Sequence, residues 1–201
     1  MRMPHVFSLS LIFVGLLLGL VSDGLADYQA GEDAYLAEDF ETAIKEWAPL
    51  AAQGNTQAQN MLGYMYRFGQ GVPQNYELAI QWYRRAADNG HAQAQNNLGA
   101  LYRYGLGVNL DYQEAFRWFL RAAEQGNGAG QNHVGLMYYK GEGVQKDLVQ
   151  AYKWAWLAAG QGLDPAIQAL DILESEMTPA QITEAKRLAE EWRPKGEEVT
   201  L

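Results

Sequence analysis

The chain has no cysteine. That excludes a disulfide framework, thiolate chemistry and a lipid-attachment cysteine behind a leader. Beyond residue 26 serine occurs once, at Ser175, in the run Leu173-Glu174-Ser175-Glu176-Met177. Acids flank it and no lysine follows three residues on, so neither a nucleophile elbow nor a serine–lysine pair can form around it. Histidine is nearly as scarce: His91 and His133 are the two beyond residue 26, far apart and with no obvious third ligand, which argues against a zinc site. A surplus of basic residues is also missing. The net charge is −9, and an acidic chain without a clustered basic face is not built for nucleic acid. No metal, cofactor or catalytic residue is expected from this inventory. Paired carboxylates can hydrolyse a sugar bond in principle, so a weak hydrolase stays as the third-ranked alternative.

Long apolar runs are missing as well, apart from one. Val6 to Val21 is apolar except for two serines, follows Arg2, and leads to Gly24-Leu25-Ala26. A positive start, an apolar stretch and small residues at the cleavage positions form the pattern of a secretory signal, with cleavage between Ala26 and Asp27. The run is short against the roughly 20 residues that span a bilayer. The expectation is an exported chain, periplasmic or alternatively secreted, with no stable membrane insertion after cleavage of residues 1–26. The remaining length suffices for a single apolar core without disulfides.

What the chain does have is repetition. Residues 55–90, 91–126 and 127–162 stack without a gap as one 36-residue unit, and twelve columns are identical. Among them are Gln59/Gln95/Gln131, Asn60/Asn96/Asn132, Gly63/Gly99/Gly135, Gly69/Gly105/Gly141, Ala79/Ala115/Ala151 and Trp82/Trp118/Trp154. A fixed period of this length means a solenoid, in which each unit packs mainly on its neighbours and the stack presents an extended concave surface. Charge follows the same division. Residues 27–54 carry seven acids against one lysine, residues 163–201 nine acids against four bases, and the repeats seven acids against nine bases. Acidic ends suit the solvated caps a solenoid needs.

Each unit reads as two antiparallel helices. In the second unit a helix covers about 92–104, with Ala94, Leu98, Leu101 and Tyr102 as its buried stripe. Gly105 ends it in the left-handed conformation glycine adopts at little cost. Asp111 should cap the next helix, with Glu114 completing a capping box. The interior glycines at 63, 99 and 135 each cost about 1 kcal/mol relative to alanine. The expected compensation is close approach of the partner helix at Ala79, Ala115 and Ala151. The tryptophans should be core anchors. His91 should start a helix, and His133 should be a surface variant.

The ends depart from the repeat. Residues 27–54 read as a degenerate helix pair that caps the N-terminal side, kinked at Pro49. Asp164-Pro165 and Thr178-Pro179 signal two capping helices in 163–193, each with a capping residue before a proline. Residues 194–201 should be a flexible tail. The fold class is therefore all-α, a right-handed α-solenoid of antiparallel helix pairs with about ten helices.

The strings LGYMYRFGQGV, LGALYRYGLGV and VGLMYYKGEGV, each followed by A-x-x-W and AA-x-x-G, resemble Sel-one-like repeats (SLR), relatives of tetratricopeptide repeats with a longer corner. The resemblance covers 55–162 fully and 27–54 in part. It implies an adaptor that assembles complexes; exported bacterial members are tied to envelope assembly, polysaccharide secretion, signalling control, flagellar motors or host contact. Disulfide-rich exported members have been linked to penicillin binding, which is not carried over to a chain without cysteine.

In helix pairs of this kind the first helix of each unit lines the concave side. If the fourth, eighth, eleventh and twelfth positions are buried, the sixth, tenth and thirteenth should be open. These are Asn60, Tyr64 and Arg67, then Asn96, Ala100 and Arg103, then Asn132, Leu136 and Tyr139, with Phe68 and Tyr104 at the rim. Asparagine donates and accepts hydrogen bonds, so a ladder of three can clamp an extended peptide backbone, and arginine can pair with a carboxylate. The alternative is that the asparagines brace the repeats by bonding backbone groups of the neighbouring unit. The function expected is a non-enzymatic scaffold that binds a protein or peptide on its concave face. The runner-up is a carbohydrate or peptidoglycan binder that uses the aromatic rings at 64, 68, 104 and 139.

Overall fold

Caps decide where each helix of the repeat begins and ends. The first helix of each unit starts where Asn55, His91 or Asn127 accepts a hydrogen bond from the backbone N–H three residues on, at 2.9, 3.2 and 2.8 Å. It ends at Gly69, Gly105 or Gly141, each left-handed with φ between 64° and 72°. The second helix starts where the carbonyl or carboxylate of Asn75, Asp111 or Asp147 accepts from the N–H of Leu78, Glu114 or Gln150. Side-chain caps of this kind contribute about 1 kcal/mol each.

A computed structural model of the chain describes residues 28–195. The signal expected over residues 1–26 lies outside the described residues. Helix α1 covers residues 28–36. It is followed by α2 (Phe40–Ala52), α3 (Thr56–Phe68), α4 (Tyr76–Asp88), α5 (Ala92–Tyr104) and α6 (Tyr112–Glu124). Then come α7 (Gly128–Lys140), α8 (Leu148–Ala159), α9 (Asp164–Glu176) and α10 (Pro179–Glu190). No strand occurs among the described residues. Each helix packs on the next along the chain from α2 to α9, and α10 folds back on α8. The chain is an all-α solenoid. In the middle units α5 touches α7 directly, with no comparable contact between α4 and α6, so there the first helices lie on the inner side.

The core is divided as the repeats are. Trp47, Leu50, Leu62 and Met65 form its N-terminal part, Tyr83, Leu98, Leu101 and Trp118 the next. Phe119, Val134, Met137 and Trp154 follow, and Tyr152, Leu173, Met177 and Ala185 close it. Trp118 and Trp154 are buried core anchors, whereas Trp82 is half-buried. Each of the three indoles lies under a cation, Arg85, Arg121 or Lys153, at 4.6 to 4.7 Å.

The interior glycines do mark close contacts, but mostly not against the alanines. A Cβ on Gly63 would lie 2.6 Å from the Tyr83 ring, and one on Gly99 would lie 2.8 Å from the Phe119 ring. Only at Gly135 does the contact fall on the backbone of Ala151 and Ala155. The corner glycines meet the previous unit. A Cβ on Gly71 would collide with Phe40, one on Gly107 with Tyr76 and one on Gly143 with Tyr112. Phe40 thus holds the repeat register one unit before Tyr76.

Several local expectations need correction. Asp111 caps α6, but Glu114 turns to Arg117 at 2.7 Å instead of closing a capping box. Asp164 is the first residue inside α9 rather than its cap, because the chain enters the helix at Leu163 with no side-chain cap. Thr178 does form a full capping box with Gln181. As expected, Pro49 lies inside α2, which runs on to Ala52. Pro194 and Lys195 are not loose. Pro194 packs near Gly126, and Lys195 bonds Glu124 through both its N–H and its ammonium. His133 is no surface variant: its ring stacks on Phe119 at 4.3 Å between α6 and α7.

Candidate functional site

The inner face is narrower than the sequence suggests. In the middle repeat the three positions expected to be open are closed: Asn96 is 7% exposed, Ala100 8% and Arg103 7%. Helix α7 touches α5 on one side, and Asn60 of α3 bonds Asn97 of α5 on the other. Arg103 donates from Nε to Glu142 at 3.1 Å, and its terminal amino group lies 3.0 Å from the same carboxylate. Its charge is therefore engaged within the chain rather than offered to a ligand. Arg67 is half-buried, stacked over Phe68 at 4.9 Å and close enough to Tyr83 to oppose the rise that burial gives that hydroxyl. Tyr64 is half-buried between Phe68 and Tyr35. Phe68 and Tyr104 lie exposed at the corners.

The asparagine ladder is linked but does not brace loops. Asn60 accepts from Asn97 Nδ2 at 3.1 Å, joining α3 to α5. Asn96 Oδ1 is buried with no partner among the described residues. The bracing role belongs to the neighbouring glutamines, which the sequence showed only as an identical column. Gln59, Gln95 and Gln131 each donate from Nε2 to the carbonyl of Ala51, Ala87 or Ala123 in the last turn of the preceding unit, at 2.9, 3.0 and 3.4 Å. Two of them accept in turn: Gln95 from Gln125 at 2.7 Å and Gln131 from Gln161 at 2.9 Å. In the first unit the position of Gln125 and Gln161 is held by Asn89. One methylene shorter, Asn89 bonds Arg85 O instead, and Gln59 Oε1 stays buried without a partner.

The inner face opens in the third repeat. Asn132, Leu136 and Tyr139, the three expected positions there, line a cavity of about 160 Å³. Gly135 and Ala155 form its floor, and α9 closes the far wall through Pro165, Ala169, Ile172 and Leu173. The lining is almost wholly apolar. At one edge Tyr139 donates its hydroxyl to Glu176 at 2.6 Å, a bond that holds the phenol above its usual pKa, and Lys146 lies over the same ring at 4.9 Å. The α9 wall lies beyond the last repeat, outside the periodic pattern. A sign of it was nonetheless legible in the column Trp47, Tyr83, Phe119, Ala155, which loses its ring in the fourth unit.

Among the described residues no group of three or more His, Cys, Asp or Glu side chains comes together as metal ligands would. His91 serves as a helix cap, with Nδ1 accepting from Ala94 N, and burial lowers its pKa. His133 is pushed down to about 4, first by burial and then by the nearby Arg103. No described helix is long and apolar enough to cross a membrane.

A family model for the Sel1 repeat matches residues 56–91, 92–127 and 128–163, which is more than half of the chain and one residue on from the units read above. The chain belongs to the Sel1 repeat family, whose members are in general protein-interaction scaffolds rather than enzymes. It is similar to the crystal structure of a Sel1 repeat protein from Oxalobacter formigenes, with 40% identity and a TM-score of 0.59 over 64% of this chain and 96% of that one. It is also similar to a protective antigen present in uropathogenic Escherichia coli strains that displays an SLR fold, with 27% identity and a TM-score of 0.60. That match covers 84% of this chain but only 45% of the antigen. No curated protein matches.

Proposed function

We propose that the chain is an exported, non-enzymatic scaffold that holds a protein or peptide segment on its inner face, as an adaptor or regulator in the bacterial envelope. The observation that carries this reading is the inner face of the third repeat, where Asn132, Leu136 and Tyr139 stand together at an open, apolar cavity. An apolar pocket with one polar amide at its mouth suits a side chain inserted from an extended segment, with Asn132 free to bond that segment's backbone. Export rests on the leader pattern of residues 1–26.

In-cell photocrosslinking tests the binding half. A crosslinker at Leu136 captures a protein partner, whereas one at Arg117 on the outer helix α6 does not. Equal capture at both positions, or none at Leu136, contradicts the reading. Export is checked by mass spectrometry of the envelope fraction, where the mature chain begins at Asp27. A carbohydrate ligand is the second reading, favoured by the exposed rings of Phe68 and Tyr104. It predicts binding to purified cell-wall polymer that is lost when both rings are removed.

A further inference from the structure

We infer that the cavity beside Ala155 receives a phenylalanine side chain from the bound segment, which completes from outside a ring column that the chain supplies for itself in every earlier unit. The inference rests on the scaffold reading above and names the chemistry of the anchor. The column is Trp47, Tyr83, Phe119 and Ala155. The three rings are fully buried. Tyr83 lies over Gly63 and Phe119 over Gly99. Phe119 then stacks on His133 of the next first helix.

The fourth unit keeps the socket and omits the ring. Ala155 stands in the ring's place, Gly135 repeats the glycine of the floor, and Ala169 on α9 takes the position of His133 one period on. All three line the cavity. A void of about 160 Å³ is the size that holds one benzene-sized group, since a dry apolar cavity of about 150 Å³ accepts benzene. The occupant is therefore specified by the repeat itself: a phenyl ring that approaches from the inner face. The residues that line the cavity carry no charge, and the nearest charges, Glu176 and Lys146, are engaged with Tyr139 at the edge, which disfavours burying an acidic or basic side chain. Asn132 at the mouth suits the amide backbone that carries the ring.

The test uses the purified full chain with two probes, Ac-Ala-Ala-Phe-Ala-Ala-amide and its all-alanine counterpart. Methyl NMR signals of Leu136, Ile172 and Leu173 are followed during titration. The phenylalanine peptide shifts these methyls saturably, and the alanine peptide does not. Ala155→Phe fills the socket from within, so it weakens peptide binding by about tenfold or more while it preserves the helical spectrum. Ala169→Phe fills the same space from the α9 side and does likewise. It serves if the first variant misfolds. Several results overturn the inference: no saturable shift, equal shifts from both peptides, undiminished binding by both filled variants, or the same methyls responding to a cell-wall oligosaccharide. Truncation after Lys195 leaves the methyls of the free chain unmoved. A shift on truncation makes the chain's own tail the occupant and also overturns it. The two readings fail separately: a partner captured equally by wild type and Ala155→Phe keeps the scaffold and rejects the anchor.

Discussion

Two single residues in the repeat interfaces carry measurable consequences. Gln59 is the buried glutamine whose oxygen lacks the partner that Gln95 and Gln131 receive. Asn89→Gln restores the missing methylene and lets the first unit make the same bond. It should stabilise the chain by about 0.5–1.5 kcal/mol, read as a raised thermal midpoint; an unchanged or lowered midpoint contradicts the relay. His133 makes stability depend on pH. Its folded pKa is about 4, against about 6.5 in an unfolded chain. Between those values the unfolded state binds more protons, so stability falls as pH drops through the window. The contribution is fully present above pH 6.5, reduced by up to about 2 kcal/mol at pH 5, and fully lost below pH 4. His133→Asn, which installs the residue found at this position in the second repeat, should narrow the gap between midpoints at pH 7 and pH 5. An undiminished gap assigns the effect elsewhere, His91 being the other histidine whose pKa burial lowers.

At the scale of the helices, the pairing was largely legible and the partners less so. Capping residues and left-handed glycines repeat at fixed positions, so the limits of α3 to α8 follow from local chemistry alone. Which surface met the interior glycines did not follow. That depends on a ring one helix away whose identity varies as Tyr83, Phe119 and Ala155, and a column that varies draws less notice than one that repeats. The expected open positions are closed in the middle repeat for a related reason. Helical periodicity tells which way Asn96 and Arg103 point, but the docking of the next unit decides whether Arg103 meets Glu142. The candidate site was thus legible on α7 and illegible on α9. Gly99→Leu tests the pairing of α5 with α6. The Phe119 ring is fully buried and has nowhere to go, so the overpacking should cost about 1–3 kcal/mol or more. Because units are coupled to their neighbours, the whole unfolding transition should move to lower temperature rather than split. An unmoved curve shows that the glycine is not pressed by the ring.

At the scale of the whole molecule, the described residues form a stack covered at both ends, with an apolar opening beside α7 and α9. The N-terminal pair contributes the Trp47 ring and fills its own socket, and α9 and α10 seal the other end through Leu173, Met177 and Ala185. Pro194 and Lys195 return to the end of α6 and tie the chain's last described residues to the second repeat. What stays open is the inner face at α7 and α9. Hydrogen exchange on the chain with its crosslinked partner protein bound tests this most directly. The account predicts added protection concentrated in residues 132–139 and 165–173, with the outer helices α4 and α6 unchanged. Protection on α4 and α6, with none added at 132–139 or 165–173, contradicts it.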